Sequence, residues 1–225
     1  ISLQMLVEKF GPQPASRLVH LLAQACDSLE EAHRQGLVHR DIKPSNLFAC
    51  SVGLEYDYVK VLDFGLVKNI HPQETHHLTI DGTSAGTPAY MAPEIAMGEE
   101  ILDGRADIYG LGCVAYFLLT GFPVFEEKTA TATALAHVQK NPVPPSQRSE
   151  MHIPPALEQA ILRCLAKKPE DRPQSAQELR RMLESSGVPA WTQEQAAEWW
   201  QSYLPASSAY RVARQARPAP PVTHP

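Results

Sequence analysis

Apolar positions recur with a helical period through most of this chain. In "SLQMLVEKFG", residues 2–11, they fall at 3, 6, 7 and 10 and a glycine stands where a helix would end, which predicts a short surface helix. In residues 13–36 Pro14 stands near a helix start, positions 18, 21, 22, 25, 29 and 32 form one stripe, and Gly36 is the stop. A long amphipathic helix is expected there. Two short β-like runs follow, "NLFAC" (46–50) and "YVKVL" (58–62), parted by a polar turn with a glycine, so a small hairpin is predicted. Residues 65–87 have no period, and a loop of that length in a compact domain is functional or mobile.

From Asp107 the pattern is helical again, with further helices expected near 126–139, 155–166 and 175–185, divided by the turns "NPVPPS" and "KKPEDRPQS". The uncharged run "IYGLGCVAYFLLTGFPVF", 108–125, resembles a membrane span in composition. Gly121 and Pro123 interrupt it, however, and about twelve helical residues are too few for ~30 Å of hydrocarbon. A buried core helix is the better expectation. Beyond Gly187, "WTQEQAAEWWQSYLP" reads as one more amphipathic helix, and "ARQARPAPPVTHP" as a Pro/Ala-rich disordered tail or linker. The expected organisation is a main domain over 1–186, a Trp-rich helix over 187–204 and a tail over 205–225. The class is α+β, mainly helical.

Composition narrows the partners. Twenty basic against 25 acidic residues give a net charge of −5 with no basic tract, which argues against nucleic acid. Cys26, Cys50, Cys113 and Cys164 form no C-x-x-C pair, so neither a zinc site nor a disulfide framework is indicated, and reduced thiols in a cytoplasmic domain fit better. No signal peptide is evident. The first residue is Ile1, inside an expected helix, a hint that an N-terminal part is missing.

The candidate chemistry is concentrated in "HRDIKPSN", 39–46, followed by "DFG", 63–65, and "GTPAYMAPE", 86–94. In this order the three strongly resemble the protein kinase family, of the bacterial-type serine/threonine branch: catalytic loop, magnesium motif and end of the activation segment. The resemblance covers 1 to about 186 and implies the large lobe of a kinase fold, with the hairpin under the catalytic loop. It implies ATP with Mg²⁺ (or Mn²⁺) as cofactors and Ser/Thr residues of proteins as acceptors. Asp41 would act as base toward the acceptor hydroxyl, Lys43 would face the transferring phosphoryl group, and Asn46 and Asp63 would offer hard oxygens to the metal. Phe48 would form the floor of the adenine site and Thr87 would help seat the acceptor. Ser45 stands where many arginine-directed kinases carry glutamate, so that substrate clue is absent.

Other positions are carried by the same resemblance. His39 and Phe64 would pack in the internal spine, Asp107 would bond the catalytic-loop backbone, and Glu94 with Arg172 would form a buried ion pair. Arg40 and Lys68 would make a basic pocket for a phosphorylated activation loop, with Thr79 and Thr83 as acceptors and Asp81 as a fixed negative charge in place of a second phosphothreonine. The bland alternative for Asp81 is a solvated loop aspartate. His71, His76 and His77 read as solvated rather than as a metal site.

Three motifs of the small lobe are not found: a G-x-G-x-x-G-x-V loop, a V-A-x-K lysine and its helix glutamate. The one G-x-G, 110–112, is better explained by close helix packing. The chain by itself is therefore expected to turn over little or no ATP, its partner being the missing small lobe of the parent chain. The competing class is a non-catalytic, pseudokinase-like scaffold, which such proteins usually reach by losing one of Asp41, Asn46 or Asp63; all three are present. For the Trp-rich segment, a helix covering the lobe's apolar surface is preferred to a partner-binding or juxtamembrane helix. Whether the parent carries a membrane anchor is left open.

Overall fold

The structure, a computed structural model, describes residues 1–63, 88–99 and 102–204. Eight helices and one two-stranded antiparallel sheet are formed by the described residues: α1 (Leu3–Phe10), α2 (Ala15–Arg34), β1 (Leu47–Val52), β2 (Glu55–Val61), α3 (Pro93–Ala96), α4 (Arg105–Thr120), α5 (Ala130–Gln139), α6 (Pro155–Cys164), α7 (Ala176–Glu184) and α8 (Gln193–Tyr203).

Local chemistry sets most of these ends. Ser2 caps α1 through its hydroxyl, which accepts from Met5 N, and Gly11 closes the helix at a φ of 77° that a side chain would resist. Helix α5 starts at Ala130, later than the 126 expected from its pattern, because Thr129 accepts from Ala132 N and fixes the start. Helix α8 opens on a capping box, Thr192 with Gln195. The short α3, inside the "APE" motif, has no periodic signal to reveal it; Pro93 occupies its first position.

Helix α4 is the axis of the core. Every residue from Ala106 to Thr120 is buried, and Gly121 ends the helix in the left-handed region with its N–H on Phe117 O. Its two interior glycines are contact points: a Cβ on Gly110 would lie 2.8 Å from Ile42 Cβ, and one on Gly112 would lie 2.7 Å from Cys164 Cβ. Close packing therefore accounts for that G-x-G, and the first glycine brings α4 directly under the loop of 39–46. No helix among the described residues is long and apolar enough to cross a membrane.

The hairpin aligns Leu47 with Val61, Phe48 with Lys60, Ala49 with Val59 and Cys50 with Tyr58, then slips, so that Val52 faces Glu55. Two residues, Tyr56 and Asp57, oppose Ser51 in this bulge, and Asp57 takes a φ of 56°. Val59 and Asp57 share the buried face of β2. Asn46 leads into β1 and Asp63 follows the end of β2, and because Leu47 pairs with Val61 the two candidate metal ligands flank the open end of the hairpin.

Candidate active site

The loop of 39–46 is anchored from below by Asp107, in the first turn of α4. This carboxylate is buried and accepts the backbone N–H of His39 at 2.9 Å, that of Arg40 at 2.7 Å and the His33 ring Nε2–H at 2.8 Å. Arg40 needs that anchor, because its φ of 65° is unfavourable for a residue that carries a Cβ and its side chain is exposed. The next residues turn upward into a compact group. Lys43 Nζ lies 2.7 Å from Asp41 Oδ2, and the Asn46 amide donates to Asp41 O at 2.9 Å and to Asp41 Oδ2 at 3.2 Å.

His39 joins this loop to the end of the hairpin. Its ring Nε2 donates to Leu62 O at 2.8 Å and its Nδ1 accepts Asp41 N–H at 3.3 Å, so the proton is on Nε2. The buried ring is thus a hydrogen-bonded link as well as a packing residue. Leu62 N donates to Asn46 O at 2.9 Å, and Asp63 follows at once, exposed and at a φ of 65°. Asp41, Lys43 and Asn46 are brought together directly; Asp63 is tied to them through Leu62. Phe48 lies half-buried on β1.

The donor set fits a hard divalent cation. Asn46 spends its N–H₂ on Asp41, which leaves the amide oxygen for a ligand, and Asp63 adds an exposed carboxylate; both are oxygen donors of the kind magnesium takes. Phe64, Lys68, Thr79, Asp81, Thr83 and Thr87, with His71, His76 and His77, lie outside the described residues. No cluster of three His, Cys, Asp or Glu side chains suited to a metal occurs among the described ones.

Below the turn of 88–90 sits a group that motif reading does not single out. Tyr109 OH lies 2.8 Å from His137 Nδ1, Phe125 packs edge-on to the His137 ring, and Lys167 Nζ donates to His137 O at 2.7 Å. Burial, with the Lys167 charge second, pulls the His137 ring down to about 4, and burial pulls Lys167 to about 8. Among the described residues His137 Nε2 meets no hydrogen-bond partner at full geometry, the Ala89 backbone of the turn above acting on the ring more weakly than burial and the Lys167 charge. A single His in a weakly amphipathic stretch gives no periodic or motif signal of this. His33, six residues before His39, was also silent.

Glu94, in α3, meets Arg172 in a buried fork at 2.7 and 2.8 Å, and Arg172 also donates to the carbonyls of Ala166, Arg105 and Lys167. The end of the "APE" motif is thereby tied to α4 and to the turn after α6.

Residues 2–183 match the protein kinase domain family, and the chain belongs to that family. Its relatives place it in the bacterial serine/threonine branch. It is 45% identical over 175 residues to serine/threonine-protein kinase Pkn1 of Myxococcus xanthus, covering 77% of this chain and 24% of that one. It is 38% identical over 179 residues to PknB of Mycobacterium leprae, covering 80% and 28%. A crystal structure of the PknI kinase domain from Mycobacterium tuberculosis superposes with a TM-score of 0.61 at 24% identity, over 84% of this chain and 63% of that one, which shows the shared fold. With only the two-stranded sheet among its described residues, the chain has the architecture of a kinase large lobe. It spans about a quarter of the length of the curated relatives it matches.

Proposed function

We propose that this chain is the catalytic large lobe of an ATP-dependent protein kinase that phosphorylates serine or threonine in other proteins. The observation that carries this is the junction at Asp41, which Lys43 and Asn46 each reach within 3.2 Å, on a loop held from Asp107. Phosphoryl transfer asks a protein to position a hydroxyl and to neutralise charge spread over the phosphoryl oxygens. Asp41 receives the acceptor's hydroxyl proton as its oxygen attacks the γ-phosphorus and ADP leaves. Lys43, beside Asp41, balances charge on the transferring group. Asn46 and Asp63 would hold the magnesium that accompanies ATP, which supplies charge neutralisation at the phosphates. The turn of 88–90, resting on Tyr109 and His137, would seat the acceptor segment together with Thr87. Arg40 and Lys68 would receive a phosphate on Thr79 or Thr83, with Asp81 supplying a fixed charge. The protein would act in the cytoplasm.

The test is phosphorylation of a Ser/Thr peptide library by the full-length protein that carries this chain, compared with its Asp41→Asn form. A drop of about 10²–10⁴-fold is expected on loss of the base. Equal phosphorylation by both forms removes Asp41 from the chemistry. Absence of phosphoryl transfer and of ATP binding in the unsubstituted protein gives the lead to a scaffold that uses the same fold without catalysis.

A further inference from the structure

Arg17 and Asp57 are both fully buried, at the centre of a cluster that joins α2, β2 and α8. Arg17 Nε and Nη2 donate to the two Asp57 oxygens at 2.8 and 2.7 Å, and Nη1 donates to Gln13 Oε1 at 2.9 Å. The carboxylate has lone pairs to spare. Trp191 Nε1 donates to one oxygen at 3.0 Å and Trp200 Nε1 to the other at 2.7 Å, while the guanidinium carbon stands 3.7 Å from the Trp199 ring centre. A buried ion pair is stable only where further hydrogen bonds occupy its surplus donors and acceptors, and here residues 191–200 supply them.

The same segment grips the strand beside Asp57. Gln193 accepts from Tyr56 N at 2.9 Å and donates to Tyr56 O at 3.2 Å. All of α8 lies beyond the family match of 2–183. Two strands alone are marginal in water, yet this hairpin carries Asn46 and Asp63 side by side at its open end, where Leu47 pairs with Val61. The hold continues toward them: Gln24 of α2 donates to Asp57 O and accepts from Val59 N, and Leu62 N reaches Asn46 O.

We infer that α8 is a working part of the catalytic lobe, locking the bulged strand β2 so that Asp63 stays in register with Asn46. Arg17, Asp57, Trp191 and Trp200 are then positioning residues for the magnesium–nucleotide site. The inference rests on the assignment of Asn46 and Asp63 as the metal pair.

The double substitution Trp191→Phe with Trp200→Phe keeps both rings and removes both indole donors. Amide exchange is followed in the 225-residue chain, with Leu183→Ala, a core truncation in α7, as a control matched in global stability by added denaturant. Peptides covering 58–63 are expected to exchange about tenfold faster in the double variant than in the control, the scale of hydrogen bonds lost to a charged group. Exchange equal to the control, with a lowered melting temperature, makes α8 a passive cover and overturns the inference. Broadening by Mn²⁺ of the Asn46 and Asp63 amide signals is the second readout. A broadening ratio that shifts away from Asp63 in the double variant supports positioning; an unchanged ratio overturns it. If Mn²⁺ broadens neither signal in the unsubstituted chain, the metal assignment fails and the positioning role with it, while the exchange result separately decides whether α8 holds the strand.

Discussion

The two buried arginines of this lobe solve one problem in opposite ways. At Arg172 the surplus lies on the cation: after Glu94 takes two donors, three backbone carbonyls from the α4 start and the turn after α6 take the rest. At Arg17 the surplus lies on the anion: Asp57 keeps both oxygens bonded to Arg17 and fills its remaining lone pairs with Trp191 and Trp200. The first pair is completed by backbone, which cannot be withdrawn without unfolding the elements that carry it. The second is completed by two indole side chains, Trp191 just before α8 and Trp200 within it. One lobe thus holds both a weld, at Arg172, and a latch, at Arg17.

The largest effect should come from breaking the weld. Glu94→Ala leaves a guanidinium buried without its carboxylate and is expected to cost about 3–5 kcal/mol by urea unfolding, enough to leave much of the chain unfolded. Asp57→Ala strands Arg17 in the same way. Its cost should be lower, about 3 kcal/mol, because the Trp199 face still covers the cation; a loss equal to or larger than that of Glu94→Ala would break the distinction between weld and latch.

His137 sharpens the comparison, being buried without a charged partner of opposite sign among the described residues. Its folded value of about 4 lies below the usual 6.5, so the unfolded chain binds the proton first between those limits. Stability contributed by the neutral ring is complete above about pH 6.5, falls as pH drops toward 4 and is fully lost below it. The loss amounts to about 3 kcal/mol. Melting curves of the wild type and of His137→Leu should therefore converge as pH falls through this window; parallel pH profiles would show that the ring does not titrate there.

Trp200→Phe alone removes one donor from the latch and should cost about 1–2 kcal/mol, read from the same unfolding curves. The exposed pair Lys140–Glu127, at 2.5 Å, gives the floor of the scale. Lys140→Ala should change stability by less than about 0.5 kcal/mol.

Much of this was legible beforehand, and for local reasons. The stripe in residues 13–36 and the glycines at 11, 36 and 121 place helices because period and cap are properties of neighbouring residues. The group of Asp41, Lys43 and Asn46 was legible because its members are separated by two or three positions on one loop. By contrast, nothing in the two β-like runs revealed the bulge, which turns Asp57 to the inner face of β2.

What the sequence determined by itself is the longer helices, the hairpin and the loop of 39–46 with its candidate residues, since each depends on residues within a few turns of one another. Only the tertiary structure decided where Asp57 points, that His33 and His39 brace the loop of 39–46, and that the Trp-rich helix lies on the lobe. Trp191 and Trp200 stand 134 and 143 positions from the carboxylate they complete. A buried charge takes its partners from whatever the packing brings within 3 Å, and no spacing along the chain encodes that choice.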